Sequence, residues 1–217
     1  MEHKFVLVSD FDGTISKKDF FAYATENILS YEDMYPWREY KKGKISHVNA
    51  LNLIFNQIHL PKSEFDLFID SIEVEEYFCP TVELCKNKNI DVFVVSAGAD
   101  YYISRILKRL CVEEKVSLIT NPSTYSQIEG LKLFPVDKSH RYYDEDLGVS
   151  KKNFVLNLKQ KGYTVIFAGD GLPDIDAAKV SDIVFARDYL VQLCEKNRVS
   201  HKHFDSYYDI FNFISNC

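Results

Sequence analysis

Four short stretches hold the side chains best suited to act together chemically. The first, Asp10-Phe11-Asp12-Gly13-Thr14, sets two carboxylates one residue apart just past the apolar run Phe5-Val6-Leu7-Val8. The second, Ser96-Ala97-Gly98, places a hydroxyl and a glycine at the end of another apolar run, residues 90–95. The third is Lys151-Lys152 behind Ser150, and the fourth is Gly169-Asp170-Gly171-Leu172-Pro173-Asp174, which follows residues 163–168. Carboxylates this close raise each other's pKa unless a cation offsets them, and oxygen-bound Mg²⁺ is the natural offset. A lysine in the first turn of a helix opposes the helix dipole, so the lysine pair points to an anion; spacing alone leaves Lys151 and Lys152 equivalent. Each stretch also has a plain reading on its own: a turn at Asp12-Gly13, a helix N-cap at Ser96, a solvated lysine pair.

The elements that must position these groups are legible as apolar runs. Residues 5–8, 90–95, 116–119, 163–168 and 182–185 read as strands buried on both faces, as in the middle of a parallel sheet. In such α/β sheets the ligand crevice lies beyond the carboxyl ends of the strands, where Asp10, Ser96 and Asp170 fall. A helix is expected directly after Gly98, with Ile103, Ile106, Leu107 and Leu110 on one face; its N-terminus would favour an anion. Further helices are expected from Ser150 to Gly162, after Pro173, and over residues 207–214. Residues 124–134 read as a hairpin, and 135–149 as a polar, aromatic loop.

Between the first and second stretches the pattern turns helical for roughly 60 residues, more than a simple crossover needs. Leu51, Ile54, Phe55 and Ile58 form one apolar stripe, and Pro61 opens another helix carrying Phe65, Phe68 and Ile69. Residues 16–75 are therefore expected to form a helical lid beside the first loop, with 1–15 and 76–217 forming the core.

The chain has 217 residues and a formal net charge of -6, which suits one core plus a smaller lobe and argues against nucleic acid as a partner. No stretch approaches the length of a membrane span, and Met1-Glu2-His3-Lys4 leaves no room for a secretory leader before the first strand. Five cysteines without a Cys-x-x-Cys pair indicate neither a disulfide framework nor a zinc knuckle, and fit reduced thiols in the cytoplasm. His201 and His203 lack a third ligand and read as surface residues. Oligomeric state is not encoded in any pattern here.

Taken in order, Asp-Phe-Asp-Gly-Thr at 10–14, Ser96, Lys151 and Gly-Asp-Gly-Leu-Pro-Asp at 169–174 resemble the four motifs of the haloacid dehalogenase superfamily of phosphohydrolases, over essentially the whole chain. The resemblance implies a Rossmann-like core with a helical cap after the first strand, as in the phosphoserine-phosphatase-like branch. Within that branch the chain is most similar to the methionine-salvage phosphatases. That similarity rests on Gly98-Ala99-Asp100-Tyr101-Tyr102, Asn121, Ala177-Ala178-Lys179, Ser181-Asp182 and Phe185-Ala186-Arg187-Asp188-Tyr189-Leu190. Two departures stand out: residues 134–149 lack the cysteine-rich segment of the salvage enzymes, and Ala97 replaces the second glycine usual in phosphoserine phosphatases.

The resemblance further implies a phosphomonoesterase acting on a small phosphorylated metabolite through an aspartyl-phosphate. Asp10 is the implied nucleophile and Asp12 the acid and base; Ser96 and Lys151 hold the phosphoryl oxygens, with Lys151 chosen over Lys152 by alignment with the family's lysine. Mg²⁺ is expected on Asp10, Asp170 and the Asp12 backbone carbonyl, with Asp174 binding it or orienting the other ligands. Backbone N–H groups at Phe11, Ala97 and Gly98 are expected to help, and Asp19, Phe20, Phe21 and Tyr23 of the cap to meet the leaving group, Asp19 as a rough counterpart of the acid that binds a substrate amine. Competing readings on the same scaffold are a dehalogenase, against which Asp12 speaks; a phosphonatase with a cap lysine; and a non-catalytic phosphometabolite- or partner-binding protein.

Overall fold

The computed structural model describes residues 4–134 and 136–217, so Met1-Glu2-His3 and Pro135, the first residue of the expected 135–149 loop, lie outside the described residues. The first apolar run forms β1 (Lys4–Ser9). Its side chains alternate between the two faces of a sheet, Val6 and Val8 entering one apolar core and Leu7 another.

The chain then enters α1 (Phe20–Asn27), α2 (Tyr35–Lys41), α3 (His47–Phe55) and α4 (Lys62–Asp70), and α5 (Phe78–Asn87) returns it to the sheet. There follow β2 (Asp91–Ala99), α6 (Asp100–Arg109), β3 (Ser117–Asn121), the antiparallel hairpin of β4 (Ser123–Ser126) and β5 (Gly130–Leu133), and a short antiparallel pair, β6 (Tyr143–Asp144) with β7 (Gly148–Val149). The rest is α7 (Lys151–Gln160), β8 (Tyr163–Gly169), α8 (Ile175–Ala178), β9 (Ile183–Ala186), α9 (Asp188–Asn197), β10 (Lys202–His203) and α10 (Tyr207–Ser215).

Among the described residues the main sheet has the order β10-β9-β8-β1-β2-β3, with every neighbouring pair parallel. From β1 the chain works outward to β3 on one side, and from β8 outward to β10 on the other. The order thus reverses between β1 and β8, which is where an α/β sheet opens a crevice at its carboxyl edge. Asp10 and Asp170 are the first residues beyond those two strands.

Helices cover both faces. Val155 and Leu158 of α7, Ala177 of α8 and Leu190 of α9 join Val8, Val95 and Phe167; Cys85 of α5, Ile103 and Ile106 of α6 and Ile210 of α10 join Leu7, Val94 and Ile166. The second core continues into the inserted helices through Phe20, Ala24, Leu51, Ile54, Phe55 and Phe65. Burying each such Leu, Ile or Phe contributes about 1.5–3 kcal/mol, and α3 sets its apolar stripe against α2 and β5 of the hairpin.

Two details differ from the sequence reading. The strand expected to stop at Val95 continues to Ala99, and α6 begins only at Asp100. The carbonyls of Ala97 and Gly98 are taken by Asn121 Nδ2 at 2.8 Å and Thr120 Oγ1 at 2.9 Å, which keeps this segment extended while its register against β3 shifts. Ser96 is therefore not an N-cap, and the N-terminus of α6 lies four residues further on. The second difference is β10, an exposed two-residue edge strand in which His203 pairs with Asp205 at 3.1 Å.

Candidate active site

The turn after β1 is wound around one carbonyl. Phe11 O accepts from the N–H groups of Ile15 and Ser16, both at 2.9 Å, and Gly13 takes φ +77°. A Cβ on Gly13 would lie 2.4 Å from Asp170 Oδ2, so glycine lets the first and fourth motifs touch. The outside of this turn is gripped by the buried Arg187, which donates to Gly13 O at 2.7 Å and Thr14 O at 3.1 Å and pairs with the buried Glu75 at 2.7 Å.

Inside the turn, carboxylate oxygens of Asp10, Asp170 and Asp174 lie within 4.8 Å of one another. Lys151, 2% exposed at the start of α7, reaches Asp10 Oδ1 at 2.5 Å and Asp174 Oδ1 at 2.6 Å. Lys152 is exposed, so burial separates the two lysines that spacing could not. Asp174 Oδ2 accepts from the N–H groups of Asp170 (3.1 Å) and Gly171 (3.0 Å), which fixes the fourth motif as a rigid loop.

The electrostatics call for more positive charge than the protein supplies. Burial, then the charge of Asp174, lifts the Asp10 pKa to about 6 against the pull of Lys151, and burial with Asp10 and Asp174 lifts Asp170 to about 9. Burial alone would lower the Lys151 pKa, but Asp10 and Asp174 raise it above the usual lysine range. Two buried carboxylates and the half-buried Asp170 against one ammonium form an all-oxygen set that fits a hard divalent cation.

Asp12 keeps its carboxylate out of that cluster. Its Oδ2 accepts from Tyr102 Oη at 2.6 Å and Ser96 Oγ at 3.2 Å, and its Oδ1 from the Phe20 N–H at 3.1 Å. Burial first, then Asp19 and Asp10, raises its pKa to about 8. Gly98 is required beside it: a Cβ there would lie 1.9 Å from Tyr102 Oη. The Gly98 N–H is directed at Ser96 Oγ, 2.9 Å away.

These groups floor a cavity of about 260 Å³ whose opposite wall comes from α1, α2 and α3. Of the expected site residues, Asp10, Asp12, Ser96, Ala97, Gly98, Lys151, Asp170 and Asp174 meet there. Asp19 lines the cavity as well, and its Oδ1 caps α1 by accepting from Ala22 N–H at 3.1 Å. Two expected cap contacts are corrected. Phe20 is buried in the core, stacked on Tyr102 at 4.0 Å, and offers the site only its N–H, while Tyr23 is turned to Ser71 at 2.9 Å; Phe21, also expected there, does line the wall. The Asp12 carboxylate is not among the carboxylates that cluster as a metal-ligand set. Tyr102 and His47 had no assigned role, because neither stands out in a chain with 14 tyrosines and 6 histidines.

No family model matches the chain. It is 27% identical over 214 residues to the 2-hydroxy-3-keto-5-methylthiopentenyl-1-phosphate phosphatase of Exiguobacterium sibiricum, covering 96% of this chain and 95% of that one. To the phosphatase of the same name in Bacillus cereus it is 28% identical over 212 residues, covering 94% and 92%. A substrate-bound phosphoserine phosphatase superposes with a TM-score of 0.70 at 18% identity, covering 98% and 99% of the two chains. A phospho-aspartyl intermediate analogue of phosphoserine phosphatase gives 0.69 at 18% identity, with the same coverage. Strand order, motif placement and these full-length similarities converge: the chain has the haloacid dehalogenase fold of the phosphoserine phosphatases and is a relative of the methionine-salvage phosphatases.

Proposed function

We propose that this chain hydrolyses a small-molecule phosphomonoester through a phosphorylated Asp10, with Mg²⁺ as its metal. The observation that carries the reading is the division of the acids: Asp10 sits with Asp170, Asp174 and Lys151, while Asp12 is held apart by neutral donors. An Asp10 oxygen attacks phosphorus in line with the departing alkoxide, and Asp12, as the protonated acid, gives the alkoxide its proton. Asp12 then takes a proton from the water that opens the acyl phosphate and frees Asp10. Lys151 and Ser96 hold the equatorial phosphoryl oxygens, and positioned donors of this kind are worth about 3–4 kcal/mol each. Mg²⁺ held by Asp10, Asp170 and the Asp12 carbonyl, with Asp174 beside them, would supply the positive charge for the transferring group.

Residues 16–75 act as a cap over this centre, with 1–15 and 76–217 as the catalytic core. The cavity wall on α1–α3, and the bridge between Ser16 and Val74 where the insertion leaves and rejoins the core, support that division. No helix among the described residues is long and apolar enough to cross a membrane. Free cysteines favour a cytoplasmic setting, and the small cavity over the carboxylates suits a small phosphorylated metabolite as partner.

Phosphate release from p-nitrophenyl phosphate tests the reading. It is expected to need Mg²⁺, to stop with EDTA, and to fall roughly 10³-fold or more in Asp10→Asn, as loss of a nucleophile does. Full activity in that variant overturns the nucleophile. Metal binding with no turnover across phosphomonoesters would point instead to a binding protein.

A further inference from the structure

The cavity has two unlike halves. Its floor is charged, but the wall facing the leaving group is built from Phe21, Trp37, Tyr40, Leu51 and Phe55, and among the described residues no arginine lines it. Its one cation, Lys151, is committed to Asp10 and Asp174. A leaving group with a carboxylate would find no free cation there among the described residues.

One polar ring interrupts the aromatic wall. His47 opens α3 and is held edge-on against Trp37 at 5.6 Å and Tyr40 at 5.3 Å. Its backbone N–H is fixed to Asp146 Oδ1 at 2.7 Å, which ties this end of α3 to the β6–β7 loop. Nδ1 is buried without a partner, and no hydrogen bond from either ring nitrogen to the protein is formed among the described residues; Nε2 is thus the ring atom left for the cavity. Burial, with Lys151 adding to it, keeps the imidazole neutral down to about pH 4. A neutral imidazole presents one N–H or one lone pair and no charge.

We propose that His47 is the specificity-determining residue of the site, hydrogen-bonding one uncharged oxygen or nitrogen of a flat, otherwise apolar leaving group that packs on the Phe21–Trp37–Tyr40 wall. The inference rests on the phosphomonoesterase reading and adds to it the class of alcohol released: neutral, part planar, with at least one polar atom, and not an amino acid. Recognition by a hydrogen bond discriminates well, because a substrate lacking the partner atom leaves a buried polar group unsatisfied.

Benzyl phosphate and the three pyridylmethyl phosphates differ only in the place of one ring nitrogen, and O-phosphoserine supplies the zwitterion. Wild-type protein with Mg²⁺ is expected to favour at least one pyridylmethyl ester over benzyl phosphate by roughly tenfold in kcat/KM, with O-phosphoserine behind both. His47→Leu should erase that preference through KM, and His47→Gln, which keeps a donor and an acceptor, should retain part of it. Matching melting curves for the two variants identify a loss of binding rather than of fold. An equal loss on every ester in both variants, or O-phosphoserine as the best substrate, overturns the role of His47 while leaving the phosphatase reading standing. Absence of turnover of any ester by the wild type overturns that reading and this inference with it.

Discussion

Tyr102 makes the shortest of the three hydrogen bonds to Asp12, and its ring lies parallel to Phe20 at 4.0 Å, so Tyr102→Phe removes the hydroxyl and leaves the stack in place. A hydrogen bond to a carboxylate is worth about 1.5–3 kcal/mol, so kcat is expected to fall roughly 10- to 100-fold with KM nearly unchanged. Steady-state kinetics on p-nitrophenyl phosphate checks this, and an unaltered kcat would remove Tyr102 from the account. His47 makes a second prediction, in stability. Its pKa falls from 6.5 to about 4 on burial, so below pH 6.5 the unfolded chain takes up a proton that the folded chain refuses. The stabilisation is therefore complete above pH 6.5 and drains away as pH falls toward 4, by up to about 3 kcal/mol. Urea unfolding at pH 7 and pH 4.5 should show wild type losing about that much more than His47→Gln. At this scale the sequence identified the acids, Ser96 and a lysine, since charged groups at strand ends are conspicuous. It did not identify Tyr102 or His47, whose roles depend on which ring packs against them.

The loop after β1 is held from outside by a buried ion pair joining three segments distant in sequence. Arg187 precedes α9, Glu75 precedes α5, and Glu75 Oε2 also accepts the N–H of Tyr207 at the start of α10 at 3.2 Å. Removing one partner of a buried pair strands the other charge, so Arg187→Met is expected to destabilise the protein by about 3–5 kcal/mol in urea unfolding and to lower activity by loosening the Asp10 turn. A loss within about 1 kcal/mol would mean that Phe11 and Gly13 hold the turn unaided. Strands in the middle of the sheet were legible because burial on both faces leaves an unbroken apolar run. The end of β2 was not, because Ser96-Ala97-Gly98 has turn-like composition and stays extended only through Asn121 and Thr120. Two-residue β10 carries no periodicity at all.

Over the whole molecule, the carboxylate cluster predicts that metal and fold are linked. A cation that binds only the folded chain stabilises it by about 2.7 kcal/mol at one hundred times its Kd. Thermal melting should therefore rise with added Mg²⁺ and return with EDTA, and Asp170→Asn should flatten the response; a melting temperature indifferent to Mg²⁺ would contradict the metal assignment. The alternation of apolar runs with helices, the carboxylates ending two of the runs, and the long helical stretch after Thr14 were determined by the sequence alone, because strand burial and helix periodicity are written locally. The choice of Lys151 over Lys152 on physical grounds, the separation of Asp12 from the other acids, and the aromatic wall with its single histidine were decided only by the tertiary structure. Those features depend on contacts between segments far apart in the chain, such as Asp10 and Lys151, 141 residues apart, and no local pattern records which side chains meet across such a gap.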